Sequence, residues 1–325
     1  MAYDVELEPL EAGKLAYAAC LGAGAGEDAA RSLADATLSA HLNGRPEVGF
    51  AHLLDYLVAF RAGRINGNAE PRLHQPLPAF WQVDADGGIA QLAFDRVFDR
   101  FVATANTLGI ALLTQRNGYT TGELGYYARR LAEKGLVTLA FTNANAFLAP
   151  SPGKPRVYST NPHALGFPLG EGRRPLVIDQ SASATAFVNV VAAARKGERL
   201  EAGMAVDASG EPTCDPVEAM TGALLPFGGR KGGNIALLVE LMAAGLSGGA
   251  WSMDMKDFQS GDETLDVGLT VIGIRSGPET ITRAAEQADR LSALGIYMPG
   301  TGERPTDRIG IDAETYAAVK AYAQA

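Results

Sequence analysis

The chain has 325 residues, 47% hydrophobic and 20% charged, with a formal net charge of −9 and a pI near 5.1. That is enough chain for a sizeable core and roughly two domains of a soluble globular protein. An acidic surface repels phosphate backbones, so nucleic acid is excluded as an expected partner. No apolar run is long enough to span a bilayer, and the first ten residues, with Asp4, Glu6 and Glu8, form no signal pattern. Cys20 and Cys214 are the only cysteines and lie at no metal-ligand spacing. No disulfide framework, zinc site or other metal site is expected, and a reducing cytoplasm is the expected location.

In chain order, Leu10–Leu21 and Asp28–Leu42 read as helices with small and apolar inner faces. Gly22-Ala23-Gly24-Ala25-Gly26 between them resembles the start of a dinucleotide fingerprint. A helix precedes it where a strand is required, so it reads as a helix–helix turn. The loop Asn43–Gly49 leads to a third helix, Phe50–Arg61, whose first turn exposes His52. The Pro/Asn/Gly-punctuated stretch Gly63–Pro78 reads as a crossing to a second domain. Ala79–Val83 and Ile89–Leu92 are expected to form a hairpin around Asp84–Gly88. A helix Asp95–Leu108, a strand Ile110–Thr114, a helix Gly122–Glu133 and a strand Val137–Thr142 follow. Leu176–Asp179 reads as a short buried strand and Thr185–Lys196 as a helix. Met204–Val206 and Pro212–Thr213 flank a hairpin turn at Asp207–Gly210. Val267–Ile274 is a strand, Pro278 begins a helix reaching Leu294, and Ala313–Ala323 is the last helix. No internal repeat or low-complexity tract is visible.

Two stretches carry chemistry. The first is Phe227–Ser247, where two glycines, Arg230-Lys231 and two more glycines open a long helix. Ile235, Leu237, Leu238, Val239, Leu241 and Met242 make it almost apolar all round, which predicts burial. The unpaired amides of such a helix start carry partial positive charge, and with Arg230 and Lys231 they suit a phosphate or pyrophosphate. The alternative is a glycine-rich loop whose basic pair is merely solvated. The second is Val177–Ala184, an apolar strand ending in Asp179-Gln180-Ser181-Ala182-Ser183. Small side chains there leave room for a ligand, and a buried Asp179 requires hydrogen bonds or a partner. Its alternative role is to cap the following loop. Gly-x-Ser-x-Gly, His-Glu-x-x-His and Walker A patterns are absent, and the four histidines, His41, His52, His74 and His163, are scattered.

The combined motifs resemble the malate/L-lactate dehydrogenase-like oxidoreductases, a non-Rossmann NAD(P) family that includes cyclic-imine reductases. The resemblance rests on Arg61–Asn66, Gly125-Tyr126-Tyr127-Ala128, Thr142-Asn143-Ala144, Thr160-Asn161-Pro162, Ile178-Asp179, Val206-Asp207-Ala208 with Asp215-Pro216, Gly228–Gly232, Val239-Glu240-Leu241, and Met298-Pro299-Gly300 with Gly302-Glu303-Arg304. Each is weak alone, and their shared order runs over most of the chain. The resemblance implies a mixed α/β protein. A helical domain of residues 1–75 is joined by 309–325, and residues 76–308 form a cofactor domain with a largely antiparallel sheet. It also implies a homodimer with the site in the cleft between the domains. It places NADPH or NADH on Asp179, Gln180, Ser181, Ala182, Ser183, Arg230, Lys231, Gly302, Glu303 and Arg304.

The departures are informative. Family members usually carry Ser-His-Gly, with the His as proton donor, where this chain has Glu47-Val48-Gly49. An Arg common three residues later corresponds to His52, and another common His falls near Thr120. Valine donates no proton, which a 2-keto acid needs on oxygen as hydride arrives. A cyclic imine can enter already protonated. The resemblance therefore points to reduction of Δ1-pyrroline-2-carboxylate to proline, or Δ1-piperideine-2-carboxylate to pipecolate. Asp179, His52 and Thr160 are the expected catalytic residues, and Arg45, Glu47, Val48 and Tyr119 the expected substrate contacts. The alternatives are a 2-hydroxy-acid dehydrogenase of malate/lactate type using His52 or Tyr119 as acid, and a non-catalytic binding protein on the same fold.

Overall fold

The computed structural model describes residues 4–257, 264–301 and 308–325. The chain begins with β1 (Val5–Leu7), α1 (Pro9–Gly22), α2 (Glu27–Leu42), a 3-10 turn (Pro46–Val48) and α3 (Phe50–Arg61). There follow β2 (Arg72–Leu77), β3 (Phe80–Asp84), α4 (Ala90–Leu108), β4 (Ile110–Gly118), α5 (Leu124–Ala132), β5 (Leu136–Thr142), β6 (His163–Phe167), β7 (Leu176–Gln180) and α6 (Phe187–Lys196). The last part comprises β8 (Ala205–Val206), β9 (Pro212–Thr213), α7 (Pro216–Thr221), β10 (Ala223–Leu224), α8 (Arg230–Glu240), β11 (Val267–Arg275), α9 (Pro278–Ala293), β12 (Ile309–Ile311) and α10 (Ala313–Ala323).

The seven-stranded sheet has the order β2-β3-β4-β11-β5-β6-β7, and β3–β4 is its one parallel pair among the described residues. The fold is thus mixed α/β with a largely antiparallel sheet, as the sequence predicts. Helices α4 and α5 pack on the sheet through Phe94, Val97, Phe101, Tyr127 and Leu131, all fully buried with Leu113 and Val271. A second core joins α1, α2, α3 and α10. Strand β1 pairs antiparallel with β12, so the two ends of the chain are stitched together. Local chemistry fixes helix starts. Asp312 accepts from the Thr315 amide at 2.9 Å to cap α10, and Asp215 accepts from Val217 at 2.8 Å to cap α7.

Two expectations are corrected. Ile89–Leu92 is not a strand but leads into α4. Ala93, Phe94, Val97, Phe98 and Phe101 repeat at helical spacing, and that stripe outweighs a four-residue alternation. The hairpin partner of β3 is β2, inside the segment read as a crossing. Strand β2 is a mostly exposed edge strand containing Pro76, so it lacks a hydrophobic signal. The helix opened by the glycines is not buried all round. Ala236, Val239 and Glu240 face inward, while Leu237, Leu238 and Leu241 are 44, 46 and 52% exposed. After Glu240 it widens into a π-helical turn, Leu241–Gly245. The turn at Gly22–Gly26 is the expected helix–helix connection, with Gly24 at φ 105°.

Candidate active site

A cavity of about 400 Å³ gathers residues from across the chain, from Arg45 to Val188. The 3-10 turn and the residue before it contribute Arg45, Glu47 and Val48, and the first turns of α3 contribute His52 and Asp55. The loop before α5 gives Thr120 and Glu123, the loop before β6 gives Thr160, and the end of β7 gives Asp179, Gln180 and Ser181. A wider cleft of about 820 Å³ shares Arg45, Glu123, Asp179 and Gln180 with this cavity, so the two are contiguous. The wider cleft adds Arg129, Arg174 and Arg308 and reaches Gly300.

Asp179 is the hinge of the two spaces. Its side chain is about 10% exposed, accepts from the Gly125 amide at 2.8 Å, and lies 4.0 Å from an Arg45 amino group. Burial raises its pKa above the ordinary carboxylate value, opposed by the Gly125 amide and by Arg45, and reinforced by Glu123. Arg45 is only a partial counter-ion, because its Nε donates to Glu47 at 2.7 Å. Behind the wall, Arg129 holds Glu123 in a buried pair at 2.5 Å. The described charged residues lining the smaller cavity are four carboxylates, Glu47, Asp55, Glu123 and Asp179, and one arginine, Arg45, besides His52. Glu47 is paired with Arg45, Asp55 with His52 and Glu123 with Arg129, while Asp179 meets Arg45 only at 4.0 Å.

The walls are held by polar networks. His52 Nδ1 lies 2.8 Å from Asp55 Oδ2 and its Nε2 lies 3.2 Å from Thr120 Oγ1. The Thr120 carbonyl accepts from the Tyr56 hydroxyl at 2.7 Å. On the other side, Glu240, 4% exposed, accepts from Asn161 Nδ2 at 2.8 Å and from both the amide and hydroxyl of Ser252 at 2.7 Å. Asn143 joins this network by donating to the Ala250 carbonyl at 2.9 Å and accepting from the Gly268 amide at 3.0 Å. Asn143 and Thr160 line the cavity, so the network fixes that wall from behind.

Not every expected residue comes to the cavity. Tyr119 is fully buried in the core, its ring edge-on to Tyr56 at 5.3 Å, and lines neither space. It is corrected from substrate contact to core residue; an apolar neighbourhood claimed the ring. Ala182 is fully buried, and Ser183 donates to the Thr185 carbonyl at 2.7 Å. Their loop is bonded to the glycine loop before α8, through Phe227 to Ala182 at 3.1 Å and Ala184 to Leu225 at 2.8 Å. Arg230 lines a separate cleft with Gly228 and Gly229, and exposed Lys231 lines neither the cavity nor the wider cleft. The helix start is open as expected, with Gly232 spared a clash, since a Cβ there would sit 2.1 Å from the Phe227 carbonyl oxygen. Gly302, Glu303 and Arg304 lie outside the described residues. Sequence reading missed Asp55, Glu123 and Arg129, and quoted Glu240 only within a motif, with no role. Only Asp55 had a local signal, three residues after His52 on one helix face.

Comparison with known proteins agrees with this architecture. The malate/L-lactate dehydrogenase family profile matches residues 8–323. A Δ1-pyrroline-2-carboxylate/Δ1-piperideine-2-carboxylate reductase of Pseudomonas putida is 35% identical over 285 residues, covering 85% of this chain and 83% of that protein. A (2R)-3-sulfolactate dehydrogenase (NADP(+)) of Chromohalobacter salexigens is 36% identical over 297 residues, covering 90% and 88%. The crystal structure of a Δ1-piperideine-2-carboxylate reductase from Pseudomonas syringae pvar. tomato superimposes with a TM-score of 0.88 at 30% identity, covering 98% of this chain and 99% of that one. With fold, cavity and sequence in agreement over nearly its whole length, this chain belongs to the malate/L-lactate dehydrogenase family and is an NAD(P)-dependent oxidoreductase.

Proposed function

We propose that the protein reduces cyclic 2-imino acids, Δ1-pyrroline-2-carboxylate to proline and Δ1-piperideine-2-carboxylate to pipecolate, with NADPH or NADH. The observation that carries this reading is the buried carboxylate of Asp179 in the cavity wall, which meets Arg45 only at 4.0 Å. A protonated cyclic imine with its carboxylate is a zwitterion, and its positive end relieves the buried Asp179. Malate- and sulfolactate-type substrates bring two negative charges and no positive one, which Asp179 repels. Val48 supports the same reading, because an iminium needs no proton from that position.

The residues fit a dinucleotide. The cavity and wider cleft are contiguous, and the wider cleft is the more cationic, with Arg45, Arg129, Arg174 and Arg308 in its lining. Arg129, Arg174 and, as the resemblance implies, Gly302, Glu303 and Arg304 are assigned to the phosphates, and Asp179, Gln180 and Ser181 to the nicotinamide end. When bound, the reduced nicotinamide supplies hydride to the imine carbon. Arg45 and Thr160 hold the substrate carboxylate, and Asp179 offsets the iminium charge. Enclosure in a preorganised cleft supplies much of the rate through proximity and electrostatics. The cleft then lies between a helical domain of residues 1–75 with 309–325 and a cofactor domain of 76–308. A homodimer, a cytoplasmic location and a role in proline metabolism complete the proposal. The exposed apolar stripe Leu237, Leu238 and Leu241 on α8 is assigned to the second copy.

The test is a substrate panel. Pyrroline-2-carboxylate is expected to be reduced far faster than pyruvate, oxaloacetate or sulfopyruvate. Brisk turnover of a keto acid with none of either cyclic imine would replace this reading with a 2-hydroxy-acid dehydrogenase.

A further inference from the structure

We propose that Asp55, His52 and Thr120 form a proton relay that does the work of the histidine missing at position 48. The proposal rests on the imine-reductase reading only for the identity of the atom that receives the proton.

The geometry is a chain of three polar groups, all lining the 400 Å³ cavity. Asp55 Oδ2 is 2.8 Å from His52 Nδ1, and His52 Nε2 is 3.2 Å from Thr120 Oγ1. A surface His–Asp pair on a helix would leave Nε2 to water. Here it meets a hydroxyl 68 residues away in sequence, on the loop that forms the cavity wall. That loop is held firmly. Tyr56 donates to the Thr120 carbonyl at 2.7 Å, Gln91 donates to the Tyr56 hydroxyl at 3.1 Å and to the Thr121 carbonyl at 3.0 Å, and Tyr127 donates to the same Thr121 carbonyl at 2.9 Å. The His52 ring also lies edge-on to Tyr56 at 5.0 Å. The hydroxyl is therefore preorganised rather than free to swing.

The carboxylate of Asp55 fixes the proton on Nδ1 and leaves Nε2 as the end that loads and unloads. In the protonated state Nε2–H donates to Thr120 Oγ1, whose own O–H points to the substrate. When the imine enters unprotonated, its carbon gains hydride, the C=N electron pair passes to nitrogen, and the nitrogen takes the Thr120 hydroxyl proton. The Thr120 O–H bond breaks, a substrate N–H bond forms, and Thr120 recovers a proton from His52 Nε2. His52 is left neutral with its proton on Nδ1, and Nε2 takes a proton from water that enters the cavity as product leaves. An imine that enters unprotonated is thereby reduced as readily as one that enters charged. The ionisable groups around His52 are Asp55 and Tyr56 on its own helix, which touch its ring, and Arg45, Glu47, Glu123 and Asp179, which line the same cavity.

Nitrogen-15 NMR of the four imidazoles and steady-state kinetics test the relay together. Neutral His52 is expected as the Nδ1–H tautomer. His52→Gln and Thr120→Val are each expected to lower kcat by about 100-fold or more with KM little changed, the scale of losing a general acid. They should also change the pH profile of kcat, with NAD(P)H fluorescence titrations unchanged. Thr120→Ser is expected to retain the wild-type profile. An Nε2–H tautomer, or a wild-type pH profile and rate in His52→Gln, overturns the relay. If the wild type reduces keto acids and no cyclic imine, the function reading fails. The tautomer and the same variants assayed on the keto acid then decide the relay by themselves.

Discussion

The Gly125 amide donates to Asp179 Oδ2 at 2.8 Å, tying the first turn of α5 to the end of β7 across 54 residues of chain. A Cβ at Gly125 would sit 3.2 Å from that oxygen and 3.0 Å from Glu123 Oε1, so glycine permits the approach. The bond fixes where the buried carboxylate faces the cavity. It also partly offsets a burial that holds Asp179 above the ordinary carboxylate pKa.

Asp179→Asn keeps an acceptor for Gly125 and removes the charge. On the cyclic imine, kcat/KM is expected to fall roughly a hundredfold or more, the scale of losing one preorganised electrostatic partner. Unchanged kinetics would remove Asp179 from the mechanism.

The same variant carries a stability signature. A carboxyl whose folded pKa is raised binds its proton more tightly folded than unfolded. Its cost to stability is absent in acid, grows as pH rises above the ordinary value of 3.8, and persists above the folded pKa. Asp179→Asn should therefore raise Tm at neutral pH and leave it unchanged in strong acid. Thermal melts across pH measure this, and an acid-side gain would contradict the sign.

Glu240→Ala removes the acceptor for three buried donors, Asn161 Nδ2, the Ser252 amide and the Ser252 hydroxyl. Leaving them unpaired is expected to cost at least ~3 kcal/mol, from about 1 kcal/mol or more each. Urea unfolding checks the loss. A variant as stable as wild type would show that the network contributes nothing.

The position of the phosphates separates two basic sites. Arg174→Ala is expected to weaken NAD(P)H binding by ~1–3 kcal/mol, the range for charge-assisted bonds, and Lys231→Ala by less. Fluorescence titration reads both. A larger loss at Lys231 would return the phosphates to the start of α8.

Leu238→Glu with Leu241→Glu places two charges on the exposed stripe of α8. Light scattering is expected to show a dimer for wild type and a monomer for the double variant. A monomeric wild type with full activity would refute the assigned interface.

The sequence by itself determined most elements and the residue set around Asp179. Strong local patterns, such as the α10 stripe capped by Asp312 and the apolar β7 ending in Asp179-Gln180, need no distant partner to be read. The ordered motifs from Arg61 to Arg304 likewise led to the family. Arg45, His52, Thr160 and Asp179 were each legible as candidates, though nothing local says that they share one cavity. Tertiary structure alone decided the rest. Strand β2 is an exposed edge whose pairing with β3 supplies what its composition lacks. The outer face of α8 is exposed because the sheet side and Glu240 claim only its other face. Tyr119 went to the core and Thr120 to the cavity, although they are adjacent, because backbone direction at the end of β4 assigns neighbours to opposite sides. Glu240 is an exposed-looking residue in sequence, made buried and paired only by Asn161 and Ser252. The His52–Thr120 contact joins residues 68 apart, a distance that no local pattern encodes and only chain packing closes.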